Sequence, residues 1–580
     1  MSHRVIVTGI KMAGSVGKPR DDKDSVRAKI ANRWSNIDYN KLSNDVQKTF
    51  EKPEVAPEVI SIDSESETSI SDNERETKSS IPQSLIDAKL HDKKYCFKLI
   101  RSETVYDKSI DYNRMSPKQQ DYFITMKDIF YDPNLRETVL FSFQFDMNFL
   151  SKCFHPNIER IVIVGQPQRI IPLDETTGSH ELKQLTKKIC YVPIEMAKYR
   201  SHHTKMVLNF YRDSLRIFLP SNNFTEAEVS YPQQVCWCSP KFIHSGKIES
   251  TSTFHGLGYE LESYLRDYDQ NTDFFQSLIL KLGKYDFLCY DDNKDKNNIK
   301  FIYSTPNPHS DSGLKSLGNN MRQLESKCFK DKNSKEDKHY FVQTSSIGTT
   351  MFKNKPFLLG VIIPQIMPDN TTTKEVHTKI LYPTLKEICD SPASVLSGGW
   401  FHFNYSRGKE AYNSLMSEKI FVKQDPTQIS RERLSTPSHS KFYMKWTSKG
   451  TNKNDNGLIP EEGVDWCLYT SANLSAAAWG SGTTRPKNYE FGVLFQGPVE
   501  VSSFVDLIYK NKGQSGTRLG TATEETNFKS KDKQADRINA NQVIVPFPKS
   551  FVQYDRDDKP SDVNLLDKIS NLALQMHNST

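Results

Sequence analysis

The chain contains, at residues 201–208, the segment Ser201-His202-His203-Thr204-Lys205-Met206-Val207-Leu208. Its apolar end predicts a β-strand, and residues two apart in a strand point to the same face. We therefore expect His203 and Lys205 to face one site and His202 to face the other way. The polar residues 212–214 predict a turn into a second strand, which ends shortly before Asn223.

A second copy of this pattern lies in the C-terminal half, in the segment Pro437-Ser438-His439-Ser440-Lys441-Phe442-Tyr443-Met444. A strand-like segment, 466–469, then leads into Thr470-Ser471-Ala472-Asn473-Leu474-Ser475. Either Ser471 or Ser475 is a suitable cap for a short helix that ends before Gly480. Asn473 is therefore expected near a helix N-terminus, which is a favourable place for an anion.

Histidine, lysine and asparagine together suit phosphoryl transfer. An imidazole attacks phosphorus or transfers a proton near neutral pH, a lysine neutralises phosphoryl oxygens, and an amide donates a hydrogen bond without adding charge. Two histidines on opposite sides of one phosphate allow one to attack while the other protonates the leaving group. A single His-x-Lys is a weak signal, because a basic residue beside an ordinary histidine produces it. Two copies, each at a strand start and each followed by Asn, predict one duplicated catalytic site.

Around these segments, apolar runs alternate with amphipathic ones. Runs typical of buried strands occur at residues 94–100, 161–164, 206–211, 215–219 and 357–363. Helical periodicity appears at residues 257–268 and 274–282. This alternation predicts an α/β fold, with hydrophilic stretches at residues 291–300, 330–338, 448–463 and 513–541 as loops or insertions.

The N-terminal 90 residues differ in composition from the rest of the 580-residue chain. They hold three of its 6 Trp, 25 Tyr and 32 Phe, and residues 51–80 contain nine acidic against three basic residues. Such a segment buries too little apolar surface to offset its ordering entropy, so we expect residues 1–90 to be a disordered tail. The net charge of +6 thus averages an acidic tail and a more basic remainder. Val59, Ile60 and Ile62 resemble a SUMO-interacting motif, and a chance apolar cluster is the alternative.

Composition also excludes several classes of protein. The longest apolar run, residues 357–363, is far shorter than the ~18 residues of a membrane span, and the N-terminus lacks the apolar core of a signal peptide. The 9 cysteines are widely spaced, and the closest pair, Cys236 and Cys238, fits a strand rather than a zinc or thioredoxin motif. We expect reduced thiols, no metal site and no cofactor.

Taken together, the motifs resemble the phospholipase D superfamily, in which two halves each contribute His-x-Lys to a shared site. The aspartate usual in that superfamily is absent, since Phe210 and Trp446 stand at its two positions. A His-x-Lys with a later Asn is instead similar to the tyrosyl-DNA phosphodiesterase 1 family, in its fungal form. The resemblance runs from about residue 94 to about residue 560, and it rests on His202-His203-Thr204-Lys205-Met206, Pro437-Ser438-His439-Ser440-Lys441, Thr470-Ser471-Ala472-Asn473-Leu474-Ser475, Ala477-Ala478-Trp479-Gly480 and Tyr489-Glu490-Phe491-Gly492-Val493-Leu494-Phe495.

The resemblance implies two phospholipase-D-like α/β domains, each a mixed sheet flanked by helices, related by a pseudo-twofold axis. We place the first domain at residues 91–297 and the second at residues 298–580, after the tail of residues 1–90. The site is expected where the two domains meet.

The resemblance also implies a reaction. His203 is the expected nucleophile, which forms a covalent phosphohistidine with the DNA 3′ end as the phenolate of a topoisomerase I tyrosine departs. His439 is the expected general acid, and then the base that activates water to release a 3′-phosphate. The remaining expected site residues are Lys205, Lys441, Asn223 and Asn473 around the phosphoryl oxygens, Gln234 behind His439, and Glu490 behind His203. Sequence symmetry alone leaves open which histidine attacks.

The DNA-binding side that the resemblance implies is a loop of small residues together with one aromatic residue, which suits single-stranded DNA. The residues implied there are Tyr199, Ser345, Ser346, Gly348 and Thr349. Two departures from the family pattern stand out. Arg200 replaces a small residue after the aromatic, and Ser561 follows Pro560 where a tryptophan is expected nearby.

The preferred function is therefore that of a metal-independent DNA-repair phosphodiesterase and exonuclease. We expect it to act on single-stranded or nicked 3′ ends that carry a topoisomerase I peptide, and on other 3′-blocking adducts. A nuclear monomer without membrane association is expected. The alternatives are another phospholipase-D-like nuclease or lipid hydrolase, or a catalytically silent DNA-binding scaffold. The basic body and the missing aspartate argue against lipid hydrolysis, and the intact His-Lys-Asn sets argue against a scaffold.

Overall fold

A computed structural model describes most of the chain. The described residues are 84–90, 92, 94–102, 112–173, 184–245, 256–287, 299–328, 337–366, 376–429, 435–448, 459–481, 483–509 and 541–562. Contacts divide the chain into two units, and all described residues fall in the unit that spans 59–569. The predicted motif at Val59, Ile60 and Ile62 and most of the predicted tail lie outside the described residues. The proposed domain boundary near residue 297 also lies outside them and stays a prediction.

The first sheet is formed by residues up to 243. In chain order, its part of the molecule contains β1 (Cys96–Ile100), β2 (Phe123–Ile124), β3 (Leu135–Phe141), β4 (Phe145–Asp146), β5 (Arg160–Gly165), β6 (Ile170–Ile171), β7 (Ile189–Pro193), β8 (Met206–Tyr211), β9 (Ser214–Pro220), β10 (Gln234–Cys238) and β11 (Phe242–Ile243). The sheet has the order β2-β1-β10-β9-β8-β3-β5-β7, with β11 beside β9, while β4 and β6 pair separately. The antiparallel pair β8–β9 confirms the hairpin predicted around residues 212–214.

The second sheet begins at residue 299. Its part of the molecule contains β12 (Ile299–Ser304), β13 (Asp337–Gln343), β14 (Met351–Phe352), β15 (Lys355–Pro356), β16 (Val376–Leu381), β17 (Phe421–Gln424), β18 (Phe442–Ser448), β19 (Val464–Thr470), β20 (Glu490–Ser503), β21 (Asn541–Val545) and β22 (Phe551–Gln553). The order is β12-β20-β19-β18-β13-β16-β17-β22, with β21 beside β20 and with β14 and β15 paired separately.

The two sheets repeat one topology. Strands β1-β10-β9-β8-β3-β5-β7 of the first correspond in order to β12-β20-β19-β18-β13-β16-β17 of the second. Pair by pair, the strand directions agree as well: β3–β5 and β13–β16 are parallel, whereas β8–β9 and β18–β19 are antiparallel. The two His-x-Lys segments therefore precede equivalent strands, β8 and β18. This repeat and the helices beside it confirm the mixed, duplicated α/β fold.

Helices connect and flank these strands. They are α1 (Pro117–Gln120), α2 (Met126–Phe130), α3 (Met147–Leu150), α4 (Glu226–Ser230), α5 (Leu257–Arg266), α6 (Thr272–Leu282), α7 (Leu314–Cys328), α8 (Ile363–Ile366), α9 (Leu385–Asp390), α10 (Tyr405–Ser417), α11 (Ala476–Trp479) and α12 (Phe504–Tyr509). Helices α5 and α6 confirm the helical periodicity of residues 257–268 and 274–282. Within the described residues, no helix combines the length and apolar character needed to cross a bilayer.

The two sheets share one apolar core, to which both contribute buried aromatic rings. The ring of Phe97 on β1 packs edge-on against Tyr469 on β19 at a centroid distance of 5.5 Å. Trp237 on β10 packs against Phe301 on β12 at 5.9 Å. The hydroxyl of Tyr469 also donates to the carbonyl of Leu219, at 2.9 Å. Residues of β1, β8, β9, β10, β18, β19 and β20 all belong to this cluster, so the starts of β8 and β18 are held in one rigid frame.

Two predictions about local structure are wrong. Residues 357–363 do not form a strand: Leu358–Ile362 is a π-helix that continues into α8. A short apolar run does not by itself distinguish a buried strand from a buried helix. Residues 84–90, predicted as tail, are packed against the first sheet. Ile86 is buried, and Asp87 accepts a hydrogen bond from the buried Arg216 at 2.8 Å, so the ordered part begins before residue 91.

Candidate active site

His203 lies in the extended segment just before β8, and its backbone is fixed to the second half of the fold. Its N–H donates to the carbonyl of Tyr489 at 2.9 Å. The ring Nδ1 lies 2.8 Å from Oε2 of Glu490, the first residue of β20. A carboxylate at Nδ1 holds the proton there and leaves Nε2 with its lone pair, the form required of a nucleophile. The predicted pairing of Glu490 with His203 is therefore present.

His202 faces the other way, as predicted from the period of two. Its ring is fully buried, and Nε2 lies 2.8 Å from the hydroxyl of Tyr268. Burial lowers the pKa of His202 to about 4. His202 is thus a neutral core residue that fixes the backbone from which His203 projects.

His439 occupies the equivalent place before β18. Its N–H donates to the carbonyl of Gln233 at 2.9 Å, so each histidine is tied to the opposite half of the duplicated fold. The ring Nδ1 lies 2.9 Å from Oε1 of Glu228 on α4. Both side chains are buried, so the carboxylate is the immediate neighbour of this ring nitrogen.

The expected contact between Gln234 and His439 is not what the structure shows. The Gln234 Oε1 accepts from the hydroxyl of Ser221 at 2.6 Å, and its Nε2 donates to the carbonyl of Glu228 at 3.0 Å. Both ends of the amide are thus engaged, and the carboxylate of Glu228 takes the place beside the imidazole. Gln234 therefore acts on His439 only indirectly. It binds the backbone carbonyl of Glu228 and so fixes the residue that contacts the imidazole.

The sequence signal for Glu228 was ambiguous. It stands three residues after Thr225, whose hydroxyl caps α4 by accepting from the Glu228 N–H at 3.3 Å. A Thr-x-x-Glu pattern is ordinarily a helix-capping motif with the acid on the surface. Only the tertiary contact shows that this carboxylate is buried against a histidine.

Both lysines point back towards their own histidines. Lys205 Nζ donates to the carbonyl of His203 at 3.3 Å, and Lys441 Nζ donates to the carbonyl of His439 at 2.6 Å. The two side chains are 2% and 1% exposed. Burial lowers the pKa of Lys205, and burial together with the positive charge of Lys205 lowers the pKa of Lys441 well below its usual value. Two mutually repelling buried cations form a binding place for an anion.

The asparagines follow the equivalent strands β9 and β19 and occupy matching positions. Asn223 donates to Oε2 of Glu228 at 2.7 Å, and its Oδ1 accepts from the hydroxyl of Ser142 at 3.0 Å. Asn473 accepts at Oδ1 from the hydroxyl of Ser345, also at 3.0 Å. Anchoring each amide oxygen fixes the side chain, which is the condition for a preorganised donor.

Helix α11 begins directly after the segment that contains Asn473. Ser475 is its N-cap and accepts from the Ala478 N–H at 3.3 Å, which decides between the two predicted caps. Gly480 follows the helix with a φ of 75°, a conformation that favours glycine. Asn473 thus stands two residues before the cap, which confirms the predicted position near a helix N-terminus.

The serines before the asparagines complete the duplication. Ser221 binds the side chain of Gln234, and Ser471 donates in the same way to Oε2 of Glu490 at 2.6 Å. Gln234 and Glu490 are therefore equivalent positions, each at the start of its strand. The first half has an amide there and supplies its carboxylate, Glu228, from α4 instead.

The His-Lys-Asn residues of the two halves form one site, because the charges of each half act on the other. The positive charges of Lys205 and Lys441 both lower the pKa of His439, which burial, the largest cause, brings to about 3. Burial also lowers the pKa of His203, although Glu490 opposes the shift. Burial disfavours ionisation of Glu228, but His439 and Lys205 hold its pKa below the usual range, at about 2. At neutral pH the free site thus holds two neutral imidazoles, and a bound phosphate anion favours protonation of His439.

Comparison with known proteins identifies the family. Residues 105–555 match the family model of tyrosyl-DNA phosphodiesterases. Tyrosyl-DNA phosphodiesterase 1 of Saccharomyces cerevisiae is 36% identical over 463 residues, which cover 74% of this chain and 78% of the yeast protein. The chain belongs to the tyrosyl-DNA phosphodiesterase family. It is therefore a phosphodiesterase, a hydrolase of a family that acts in DNA repair.

Other relatives agree with this tyrosyl-DNA phosphodiesterase assignment. A probable tyrosyl-DNA phosphodiesterase of Schizosaccharomyces pombe is 25% identical over 525 residues, covering 77% of this chain and 90% of that protein. A crystal structure of the yeast tyrosyl-DNA phosphodiesterase matches this structure with a TM-score of 0.63 and 33% identity, covering 81% of this chain and 99% of the yeast chain.

The loop expected to bind DNA in a tyrosyl-DNA phosphodiesterase borders the site. Ser345 is buried and donates to Asn473, while Ser346 lies partly exposed beside it. The N–H of Gly348 donates to the carbonyl of Leu474 at 2.8 Å, and a Cβ at this glycine would approach Ser475 to 3.2 Å. Thr349 packs on Gly408 instead, where a Cβ would meet its methyl at 2.5 Å. The loop thus places the hydroxyls of Ser345 and Thr344 at Asn473, whereas Ser346 accepts from the N–H of Leu474 through its carbonyl and the side chain of Thr349 points elsewhere.

The predicted aromatic stands on the surface. Tyr199 is 80% exposed and has a positive φ of 66°. The Lys198 Nζ lies 5.1 Å from the ring centroid. Arg200, the departure from the tyrosyl-DNA phosphodiesterase pattern, is also exposed and lies near Tyr489, which hydrogen bonds to the backbone of His203. These exposed cations and the ring lie beside the His203 side of the site.

The second departure lies in the C-terminal segment. Ser561 is fully buried, where its N–H donates to the carbonyl of Pro383 at 2.9 Å and its carbonyl accepts from the hydroxyl of Tyr382 at 3.1 Å. Asp562 then accepts from the N–H of Tyr405 at 3.0 Å, at the start of α10. Residue 561 of this tyrosyl-DNA phosphodiesterase is thus part of the packed interior.

Sequence reasoning missed one histidine. The pKa of His402 is lowered by burial and then by the charges of Lys441 and His203, so its imidazole lies near both motifs. No motif contains His402, and only its place in the fold identifies it. Within the described part of the chain, no group of three or more His, Cys, Asp or Glu side chains is arranged to hold a metal ion.

Proposed function

We propose that this chain hydrolyses the 3′-phosphotyrosyl bond between DNA and a topoisomerase I peptide through a covalent phosphohistidine. The observation that carries the proposal is the reciprocal pair of buried contacts, His203 with Glu490 and His439 with Glu228, around two buried lysines. A phosphodiester needs a neutral nucleophile on one side and a proton donor on the other, and this pair provides both.

In the first step, Nε2 of His203 attacks phosphorus and the bond from phosphorus to the tyrosine oxygen breaks. Burial keeps the imidazole neutral before attack, and Glu490 stabilises the positive charge that the ring acquires. Lys205 and Lys441 neutralise the equatorial oxygens, with Asn223 and Asn473 as further partners.

His439 supplies the proton for the departing phenolate. The free site disfavours the imidazolium form, but the phosphodiester offsets the lysine charges and Glu228 favours the proton on His439. Neutral again, His439 then accepts a proton from water, which attacks the phosphohistidine. The P–N bond breaks, His203 is released, and a 3′-phosphate remains on the DNA.

We further propose that the reaction requires no metal ion. Lys205 and Lys441 supply the charge neutralisation that divalent cations provide in two-metal nucleases. Excess EDTA is expected to leave kcat unchanged, and loss of activity that added Mg²⁺ restores would refute this part. Because the substrate is chromosomal DNA, we also propose that the protein is nuclear, which cell fractionation will test. We propose further that it removes other 3′-blocking adducts, which assays with such adducts will test.

The direct assay is incubation with a single-stranded oligonucleotide that ends in 3′-phosphotyrosine. The wild-type protein is expected to give a 3′-phosphate end, and His203→Ala is expected to lose more than a thousandfold in kcat/KM. His244→Ala is a matched control. This exposed histidine follows β11, which pairs with the start of β9, whereas Asn223 follows the other end of β9. No turnover by the wild type, or equal loss in both variants, would overturn the proposal.

A further inference from the structure

We propose that His402 contacts the leaving group of the reaction and thereby favours tyrosyl adducts over other 3′ ends. The proposal rests on the proposed function, since it adds a residue to the same site. It stands on three observations: the backbone position of His402, the direction of its side chain, and the side of the site on which it lies.

The backbone of His402 is fixed to the loop that holds the asparagine. Its N–H donates to the carbonyl of Ser345 at 2.9 Å, and its carbonyl accepts from the N–H of Ile347 at 3.1 Å. Ile347 pairs in turn with Leu474, the neighbour of Asn473. The three segments form a short ladder along the rim of the site, so the distance from His402 to the phosphate-binding residues is set by backbone hydrogen bonds.

The side chain of His402 projects out of the core. Phe401 and Phe403 are buried, whereas His402 between them is exposed. Successive residues of an extended segment point to opposite sides, so the imidazole points away from the two phenylalanines. The same ring is surrounded closely enough by protein, with Lys441 and His203 nearby, to have a lowered pKa. A side chain that is open on one side and enclosed on the others lies at the mouth of a cleft.

Trp400 shows which side of the cleft this is. Its ring packs on Tyr231 at a centroid distance of 6.2 Å. Tyr231 is the C-cap of α4, the helix whose Glu228 lies against His439. Residues 400–402 therefore border the end of α4, and the charge of Glu228, which lies against His439, also acts on the pKa of His402. Attack by His203 expels the leaving group in line, on the opposite side of phosphorus, so the departing phenol lies on the side that His402 borders.

The chemistry of the imidazole suits a tyrosyl leaving group. A neutral histidine offers a flat ring that packs on a phenol and a ring nitrogen that hydrogen bonds with the attached peptide. Because it touches the departing group and not the phosphoryl oxygens, its contribution ends once the phenol has left. An oligonucleotide with a bare 3′-phosphate makes every other contact but not this one.

The test compares a reaction that needs the leaving group with a binding event that lacks it. We would measure kcat/KM for an oligonucleotide with a 3′-phosphotyrosyl peptide, and the Kd of the same oligonucleotide with a 3′-phosphate. His402→Ala and, as a second variant, His402→Gln are expected to lower kcat/KM about tenfold while Kd changes less than twofold. His244→Ala is the exposed-histidine control and is expected to change neither quantity.

Two results would overturn the proposal. Unchanged kcat/KM in His402→Ala means that the residue does not contact the leaving group. An equal loss in kcat/KM and in 3′-phosphate affinity means that it binds DNA or supports the fold. Failure of the wild-type protein to cleave the phosphotyrosyl bond is a separate outcome, which would refute the proposed function itself and this inference with it.

Discussion

The Nδ1 atom of His439 lies 2.9 Å from Oε1 of Glu228, a carboxylate that comes from the other half of the duplicated fold. His203 makes the reciprocal contact with Glu490, at 2.8 Å. Each histidine is therefore oriented by an acid that its own half does not supply. The site exists only when both halves are packed together, and each imidazole has a partner that stabilises its charged form.

Removing the charge of Glu228 tests its role as a positioning residue for His439. We expect Glu228→Gln to lower kcat about a hundredfold, because a neutral amide no longer stabilises the imidazolium that protonates the phenolate. The amide keeps an oxygen for Asn223, so the fold is retained. Steady-state kinetics on the phosphotyrosyl oligonucleotide measure the effect.

The matched control is Glu226→Gln, an exposed acid on the same helix. It removes the same formal charge from α4 without touching His439, and it is expected to keep wild-type kcat. If both variants are equally active, the contact between Glu228 and His439 has no part in the reaction.

The two buried lysines predict a conflict between activity and stability. Lys441→Met is expected to lower kcat/KM more than a hundredfold, because a cation that faces the phosphoryl group is lost. The same change removes a desolvated charge that is repelled by Lys205, so the thermal unfolding midpoint is expected to stay equal or rise.

Lys445→Met, four residues further along and within β18, gives the contrast. Lys445 is equally buried, but it pairs with Asp465 at 3.3 Å, so its replacement leaves that acid with the hydroxyl of Thr447 and without its counter-charge. We expect a lower unfolding midpoint for Lys445→Met than for Lys441→Met. The reverse order would show that Lys441 stabilises the fold and does not act as a strained anion-binding residue.

Stability should fall on acidification, in part through His439. Its folded pKa of about 3 lies below the ordinary value of 6.5, so the unfolded chain binds the proton more tightly and stability is lost as pH falls below 6.5. One such group costs about 2 kcal/mol between pH 7 and pH 5. His439→Asn should lose correspondingly less unfolding free energy over that interval in urea denaturation.

In the wild-type protein, the carboxylate of Glu228 stays ionised throughout this interval. Its folded pKa of about 2 also lies below its ordinary value of 4.5, so its contribution is lost only at lower pH. An equal change in unfolding free energy between pH 7 and pH 5 for wild type and His439→Asn would contradict the buried, neutral histidine.

Local patterns in the sequence were enough to predict much of the site. The alternation along a strand separates His203 from His202, and a serine cap, at Ser471 or Ser475, with Gly480 beyond it places Asn473 near a helix N-terminus. These features depend on residues close together in the chain. Alternation along a strand decides which side chains share a face, and capping decides where a helix begins.

The parts that sequence did not predict depend on contacts between distant segments. Glu228 has the pattern of a surface cap and is recognised as a buried acid only beside His439. His402 belongs to no motif and reaches the site through a ladder with residues 345–347. The run 357–363 is apolar enough for either a strand or a helix, and its neighbours in space decide for a helix.

The most direct test of the central claim is to identify the atom that becomes covalently attached to DNA. His439→Asn, which retains the nucleophile but lacks the group that activates water, would be incubated with the 3′-phosphotyrosyl oligonucleotide and analysed by mass spectrometry after proteolysis. We expect an oligonucleotide linked through phosphorus to His203, and no adduct in the double variant with His203→Ala. An adduct on any other residue, or turnover by the double variant, would contradict it.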